Sequence, residues 1–566
     1  MSRLTSDSQP DSLTIVLRRR TSSWARVLAS CGCLLLFAWA CFNWFSLLHR
    51  DIEDFAPIPE WDYWETVAHI PRYEASDISV LWEQRYEHRA VFAEMVYGAD
   101  YLFFHGRQIL PAVLNVVLYG ATLVLFAFII WRASGIPRYA AFAAVCMVAV
   151  ILAFPGATFS LSLPILVHFF MSQLAVAGAL WLLARGNLFG AIAAAVVATF
   201  SLSNGLGLWP ILIFFACLRR ESFRRIGILA GAFVLTAAAF FTGYRDLGNF
   251  NPVRAFSRPT YVAAYFLRYV SMPFGAMVPS IGVIVGSCSV LALFVLFAIA
   301  WRKQLLTEPV AVVGFGVGFL VIFTVAMTSM GRVPFLKTWQ DSSIIPGHYM
   351  TVSLGFWSAL VMLTVFVLCR TFSSPLPAAI FLSLFAAGAA LQQMNMSPWT
   401  HNWLKTPAMY RFASLALESG VKTDLAYGIL YYPDPQLVPR SLPALANRHL
   451  SIYSYPRNGW IGRPASSQFG LSSGGQESRQ ITSVTPIPSG FLTAGWAAGN
   501  WSELVLLDRD RTIIGLGERF SAEWPDLAPI AKGHEGQGWI AFSQTPPAEA
   551  CVLSGDRRSA VCFASK

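Results

Sequence analysis

Apolar residues run along this chain in long unbroken blocks, not in the period of about two or 3.6 that marks a half-buried strand or helix. A block needs roughly 20 residues to cross a hydrocarbon layer as a helix, and that template recurs from Val27 to Gln392. The blocks predict spans near 27–48, 108–131, 139–154, 163–184, 188–203, 207–218, 226–243, 278–301, 310–329, 349–369 and 376–392, about eleven in all. Two stretches break the pattern, a loop at 49–107 and a tail beyond Met394. The loop contains "EWDYWETVAHIPRYEASDISVLWEQRYEHR", Glu60 to Arg89, where carboxylates alternate with Trp61, Tyr63, Trp64, Tyr73, Trp82 and Tyr86. Such rings favour a membrane interface, so the loop is expected to fold as interfacial helices. In the tail, "TPAMYRFASLALESG" has helical spacing and opens a mixed α/β segment at 393–463. "PASSQFGLSSGGQES", Pro464 to Ser478, reads as a linker, and strand composition beyond it predicts a β-rich, sandwich-like domain at 479–566. That domain is expected to bind glycan or to act as a lid.

Composition agrees with a polytopic α-helical membrane protein: 55% of residues are hydrophobic and 13% charged. The net charge of +10 is divided into short clusters between apolar blocks, which points to membrane topology and away from nucleic acid. Counting from the N-terminus, every second connection is basic: Arg18 to Arg20 with Arg26, Arg132 and Arg138, Arg185, Arg219 to Arg225, Arg302 with Lys303, and Arg370. Basic connections face the cytoplasm. Residues 1–26 are therefore expected inside and the C-terminal domain outside, in a multi-pass protein of the plasma (inner) membrane. The first apolar run lacks a small-residue cleavage pattern and reads as a retained anchor.

Seven of the nine cysteines fall in or beside spans, where Cys behaves as a small apolar residue. Cys551 and Cys562 differ, because they sit symmetrically about Asp556 and Arg557 and a hairpin there would set them opposite as a disulfide. Asn395-Met-Ser and Asn500-Trp-Ser match the N-glycosylation pattern, a weak three-residue signal.

Carboxylates locate the candidate chemistry. Between residues 108 and 392 the acids are Glu221, Asp246, Glu308 and Asp341, all in connections, and this counts against an ion-coupled transporter. His168, Gln173 and Asn115 remain as polar groups within spans, where interhelical hydrogen bonding is their ordinary use. The first loop is acidic throughout, and a solvated face accounts for most of its carboxylates. On a helix, Leu81, Arg85, His88, Arg89 and Phe92 would share one stripe suited to a lipid phosphate; pairing with Glu83, Glu87 and Glu94 is the structural alternative. Later outer connections hold Arg245, Arg254, Arg258, Arg332, Lys337 and His348, basic groups on the side where topology disfavours them. An anionic headgroup or pyrophosphate-like substrate would explain them. "SLSNGLGLWP", Ser201 to Pro210, separates two short spans as a tight turn or as the edge of a lipid groove.

With its N-terminal span, long acidic outer loop, roughly eleven spans and soluble outer tail, the chain resembles the C-type membrane glycosyltransferases. That class includes protein mannosyltransferases and the aminoarabinose transferase of lipid A. "PEWDYWE", "LWEQRYEHR", "NGLGLWP" and "GRVPF" followed by "GHY" carry the resemblance in detail. It implies transfer of a sugar from a polyprenyl-phosphate donor to a glycan or lipid acceptor at the outer face of the membrane, with inversion. It also implies a first-loop carboxylate as general base. That role falls on Asp62, with Asp54 and Asp51 as rivals. Arg85, His88, Arg89, Arg332, Lys337 and His348 are the expected donor-phosphate ligands, and Trp61, Trp64 and Glu87 the acceptor or interfacial residues. No cofactor or metal ligand set is expected, and a divalent cation stays open. A lipid or polysaccharide transporter and a noncatalytic envelope-glycan assembly protein are the competing classes.

Overall fold

The computed structural model describes residues 12–245, 252–275, 279–332, 345–395, 409–431, 434–473, 479–499, 501–519 and 538–564. Among them, eight helices are long and apolar enough to cross a membrane. They belong to α1 (Ser12–Asp54), α5 (Ile109–Trp131), α8 (Val167–Ala184), α11 (Phe223–Phe241), α15 (Pro279–Arg302), α16 (Pro309–Arg332), α17 (Met350–Thr371) and α18 (Leu376–Asn395). The three other predicted spans are the shorter apolar helices α6 (Arg138–Leu152), α9 (Leu188–Thr199) and α10 (Leu208–Leu218). Length and composition alone thus carry eight crossings, and the expected count of about eleven requires the three short helices as well. Short helices α7 (Ala157–Leu161), α12 (Pro252–Phe256), α13 (Pro259–Val270) and α14 (Met272–Gly275) lie in the connections.

In lipid no water satisfies backbone groups, so each apolar run closes its own hydrogen bonds as a helix. The most buried helices, α16 and α17, form the centre of the bundle. Exposed Phe42 and Phe45 on α1, Leu235 on α11 and Leu384 on α18 make a lipid-facing belt. The basic connections gather at one end: Arg370 contacts Ser134 and Glu308, Arg219 donates to the Thr307 carbonyl, and Arg225 to that of Gly186.

At the other end the first loop forms α2 (Tyr63–Val67), α3 (Ile70–Glu74), a 3-10 turn at Ile78–Trp82, and α4 (Val91–Phe103). Several of its aromatic residues turn inward, while Trp82, Phe103 and Phe104 stay exposed. Tyr63, Trp64 and Tyr97 are fully buried, and the Tyr63 and Tyr97 rings pack with centroids 4.9 Å apart. The tail supplies the cover that makes this possible, through the helical residues 409–418 (α19), α20 (Asp424–Leu430) and α21 (Leu437–Ala446), with α21 against α2. Arg107 donates to Ser454 and lies over the Tyr455 ring, Arg448 pairs with Glu74, and Ser451 donates to the carbonyls of His105 and Pro57. Loop and tail therefore share one core.

The last strands form one eight-stranded sheet and not a sandwich of two. The strands are β1 (Gly470–Ser473), β2 (Arg479–Ile487), β3 (Gly490–Ala497), β4 (Trp501–Leu507), β5 (Ile513–Arg519), β6 (Gly538–Ser543), β7 (Glu549–Ser554) and β8 (Ser559–Ala564). Their order is β1-β8-β7-β4-β5-β6-β3-β2, antiparallel except for the parallel β1–β8 pair. Strand β1 lies inside the stretch read as a linker, so the sheet begins before residue 479. The sheet curls until β2 nears β8, and Ile481, Trp501, Leu504, Trp539 and Phe563 fill its inner face. Its outer face packs on α19, where Phe412 meets Phe542 at 4.8 Å. Period-two alternation with both faces covered produces two cores from one sheet. Cys551 and Cys562 pair directly across β7 and β8 and are joined as a disulfide.

Candidate functional site

The chain leaves α1 and turns sharply before α2. Trp61 takes φ 48°, the left-handed region that a bulky residue occupies only when its surroundings hold it there. Its N–H donates to the Leu430 carbonyl at the end of α20, 2.8 Å away. Asp62 then occupies the N-cap position of α2 but makes no side-chain cap hydrogen bond. An aspartate there ordinarily accepts a backbone N–H. Among the described residues the one hydrogen-bonding group at the carboxylate is the Tyr86 hydroxyl, 3.5 Å from Oδ1.

Glu65 is one helical turn further and shares the Asp62 face. It accepts hydrogen bonds from Tyr86 at 2.9 Å and Tyr431 at 2.8 Å. Burial and the neighbouring Glu65 charge push the Asp62 carboxyl up to about 6, against the opposing pull of Arg85 and Arg332. Glu60, two residues earlier, is buried with Oε1 unpartnered among the described residues, and burial holds its carboxyl well above the usual range.

The predicted cationic stripe does not form. Residues 83–90 make a loop with Tyr86 at φ 48° and an Arg85–His88 backbone bridge, so the three basic side chains diverge. Arg89 is buried and spends its guanidinium on three carbonyls, those of Phe240 at 2.6 Å, Thr242 at 2.5 Å and Trp82. It is a strut between loop and bundle, not a phosphate ligand. Arg85 lies 2.7 Å from the buried Glu94 and 3.9 Å from Glu65, so pairing, the structural alternative, describes it better. Against its own burial, Arg85, His69 and Tyr73 hold the Glu94 carboxyl below the usual range.

His88 reaches the bundle at Ser203. Its Nδ1 lies 2.8 Å from the Ser203 hydroxyl and 3.4 Å from the Ser203 N–H. A backbone N–H only donates, so Nδ1 accepts and Nε2 holds the proton of the neutral ring. Burial lowers the His88 pKa. Ser203 sits in the 3-10 turn Ser203–Gly207 that joins α9 to α10. Asn204 ties that turn to Ser172 on α8 and Thr324 on α16. A Cβ on Gly205 would come within 2.4 Å of the Ala198 and Thr199 backbone, so only glycine fits. "SLSNGLGLWP" is thus a tight turn that presents Ser203 to the site.

His348, in the 3-10 turn before α17, packs at a tilt against Tyr349 with ring centroids 4.1 Å apart and meets Trp61 edge to face at 5.3 Å. Its Nδ1 is buried without a hydrogen-bond partner among the described residues. Arg332, the last residue of α16, donates to the Tyr349 hydroxyl at 2.9 and 3.2 Å and forms no ion pair among the described residues. Its charge acts on Asp62, His88 and His348, so the four groups lie in one region between loop and bundle, the candidate cleft. His168 completes the wall, with ring centroid 6.3 Å from that of His88.

The other expected residues divide as follows. Trp61 lines the cleft, Trp64 is core, and Glu87 stands exposed at the rim 3.9 Å from His88. Asp51 is half-buried on the last turn of α1, while the Asp54 side chain and Lys337 lie outside the described residues. Among the described residues one trio has ligand atoms close enough for a metal, Glu549, Cys551 and Cys562, and its sulfurs are consumed by the disulfide. Glu65, Tyr86, Ser203 and Tyr431 were not singled out from sequence. The spacing of Glu65 from Asp62 could have found the first; nothing local marks Tyr431.

The Asp62 carboxyl, raised to about 6, therefore lies near histidine groups and near Arg332, which binds no carboxylate among the described residues. The chemistry open to the cleft is proton removal from a hydroxyl beside a stabilised anion. Comparison with protein-family models, with characterised proteins and with solved structures returns no match for this chain.

Proposed function

We propose that this multi-pass membrane protein is a glycosyltransferase of the C-type kind, using a polyprenyl-phosphate sugar at the outer face of the plasma membrane. The eleven apolar helices among the described residues, three of them short, are read as an odd number of crossings that leaves the tail outside. The observation that carries the reading is Asp62: uncapped, half-buried and shifted toward neutrality, opposite Arg332, His348 and His88. Asp62 takes the proton of an acceptor hydroxyl while that oxygen bonds to the anomeric carbon. The bond from that carbon to the phosphate oxygen breaks, and polyprenyl phosphate leaves with the electron pair. Arg332 and the two histidines stabilise the charge that grows on the phosphate. A positioned base contributes about 10² to 10⁴ in rate. Attack opposite the leaving group inverts the anomeric centre. Trp61 offers an apolar face to a sugar ring or a lipid.

Mass spectrometry of envelope glycans and lipids tests this directly, in cells with the gene, without it, and with Asp62→Asn in its place. The expected result is a saccharide that disappears with the gene and is not restored by Asp62→Asn. Identical glycans in the first two strains would remove the proposal.

A further inference from the structure

We infer that Tyr431, at the end of α20 in the tail, is a positioning residue that sets the two loop carboxylates. The inference rests on Asp62 being the base. Its hydroxyl is 2.8 Å from Glu65 Oε1 and 3.0 Å from the Tyr86 hydroxyl, which itself donates to Glu65 at 2.9 Å. Each phenol has one proton and gives it to Glu65, so the Tyr86–Tyr431 approach and the 3.5 Å approach of Tyr86 to Asp62 Oδ1 set the spacing of the group without a further donation.

The same helix end acts twice. Leu430 accepts from the Trp61 N–H on one side of Asp62, and Tyr431 grips Glu65 on the other. Trp61 and Tyr86, both held at φ 48°, are the two strained residues that these contacts restrain. Helix α20 is itself fixed at its start, where Thr423 caps the Ala426 N–H at 3.0 Å. A segment more than three hundred residues away in sequence thereby becomes part of the catalytic wall. Two phenol donors thus hold the Glu65 carboxylate in place, and its charge is one of the causes that raise the Asp62 carboxyl.

Tyr431→Phe keeps the ring and deletes one donor, with Tyr86→Phe as its companion. The full-length chain in host membranes is treated with a water-soluble carbodiimide and an amine across a pH series. Mass spectrometry then reads labelling on the peptide that carries Asp62 and Glu65. Loss of a phenol donor leaves the Glu65 charge less offset beside Asp62, so the half-labelling pH at Asp62 is expected to rise by about one unit in either variant. The gene-dependent saccharide should fall roughly fivefold in Tyr431→Phe cells grown near pH 6 and recover toward the wild-type level near pH 8, at unchanged protein abundance. An unshifted labelling midpoint in Tyr431→Phe overturns the inference, as does an equal loss of product at every pH. If Asp62→Asn abolishes product in that case, the reading of Asp62 survives alone. A shifted midpoint beside an Asp62→Asn strain that still makes product would overturn the reading, and the positioning role with it.

Discussion

Three carboxylates within six residues of one another meet different fates because their surroundings differ. Glu60 is sealed in the core, Glu65 is held by two phenols, and Asp62 faces the cleft with one distant donor. Only the last combines access with a shifted affinity for protons. Its folded value of about 6 stands above the ordinary aspartate value of about 4. The folded state therefore binds the extra proton between those limits, and stability falls as pH rises through that window. Asp62→Asn is expected to leave thermal stability unchanged below about pH 4 and to raise it above about pH 6, by at most about 3 kcal/mol. Thermal unfolding of the detergent-solubilised chain at the two pH values measures this. The pairing of Asp62 with Glu65 was legible in "EWDYWE", since a three-residue step keeps both on one helical face. The inward turn of Tyr63 and Trp64 was not, because the same side chains satisfy a lipid interface or a core equally well.

Among the elements, the apolar helices were the most legible, since lipid as solvent demands a composition that few other structures share. The stretch from Leu81 to Phe92 failed for a definite reason. Its helical spacing is real, but Tyr86 takes a left-handed conformation that ends any helix through it, and α4 begins only at Val91. The linker reading failed because β1 draws its hydrogen bonds from β8, a partner far along the chain. Tail helix and sheet are joined by Arg457, which reaches Glu418 at 2.6 and 2.8 Å, Glu518 at 2.6 Å and Glu503 at 3.3 Å. The Glu418 side chain is fully buried. Arg457→Leu strands that acid, and a broken buried pair costs about 3 to 5 kcal/mol. Limited proteolysis should then release the sheet from the membrane part at protease levels that leave the wild-type chain whole.

For the whole molecule, the arrangement is a helical bundle whose loop and tail enclose a cleft at one end. Sequence pattern reached the bundle and the loop, and named five of the groups around the cleft: Asp62, Trp61, His88, Arg332 and His348. It could not reach the closure by Tyr431, because contacts across the full length of the chain leave no local periodicity. The central claim is that Asp62 removes a proton as sugar is transferred. Its most direct test is the rate of transfer against pH, for wild type and Asp62→Asn, on the acceptor that the glycan comparison identifies. The wild-type rate should climb through about pH 6 and level off above it, while Asp62→Asn should lie at least about a hundredfold lower at pH 7 and show no such rise. Transfer by Asp62→Asn at the wild-type rate would contradict the account.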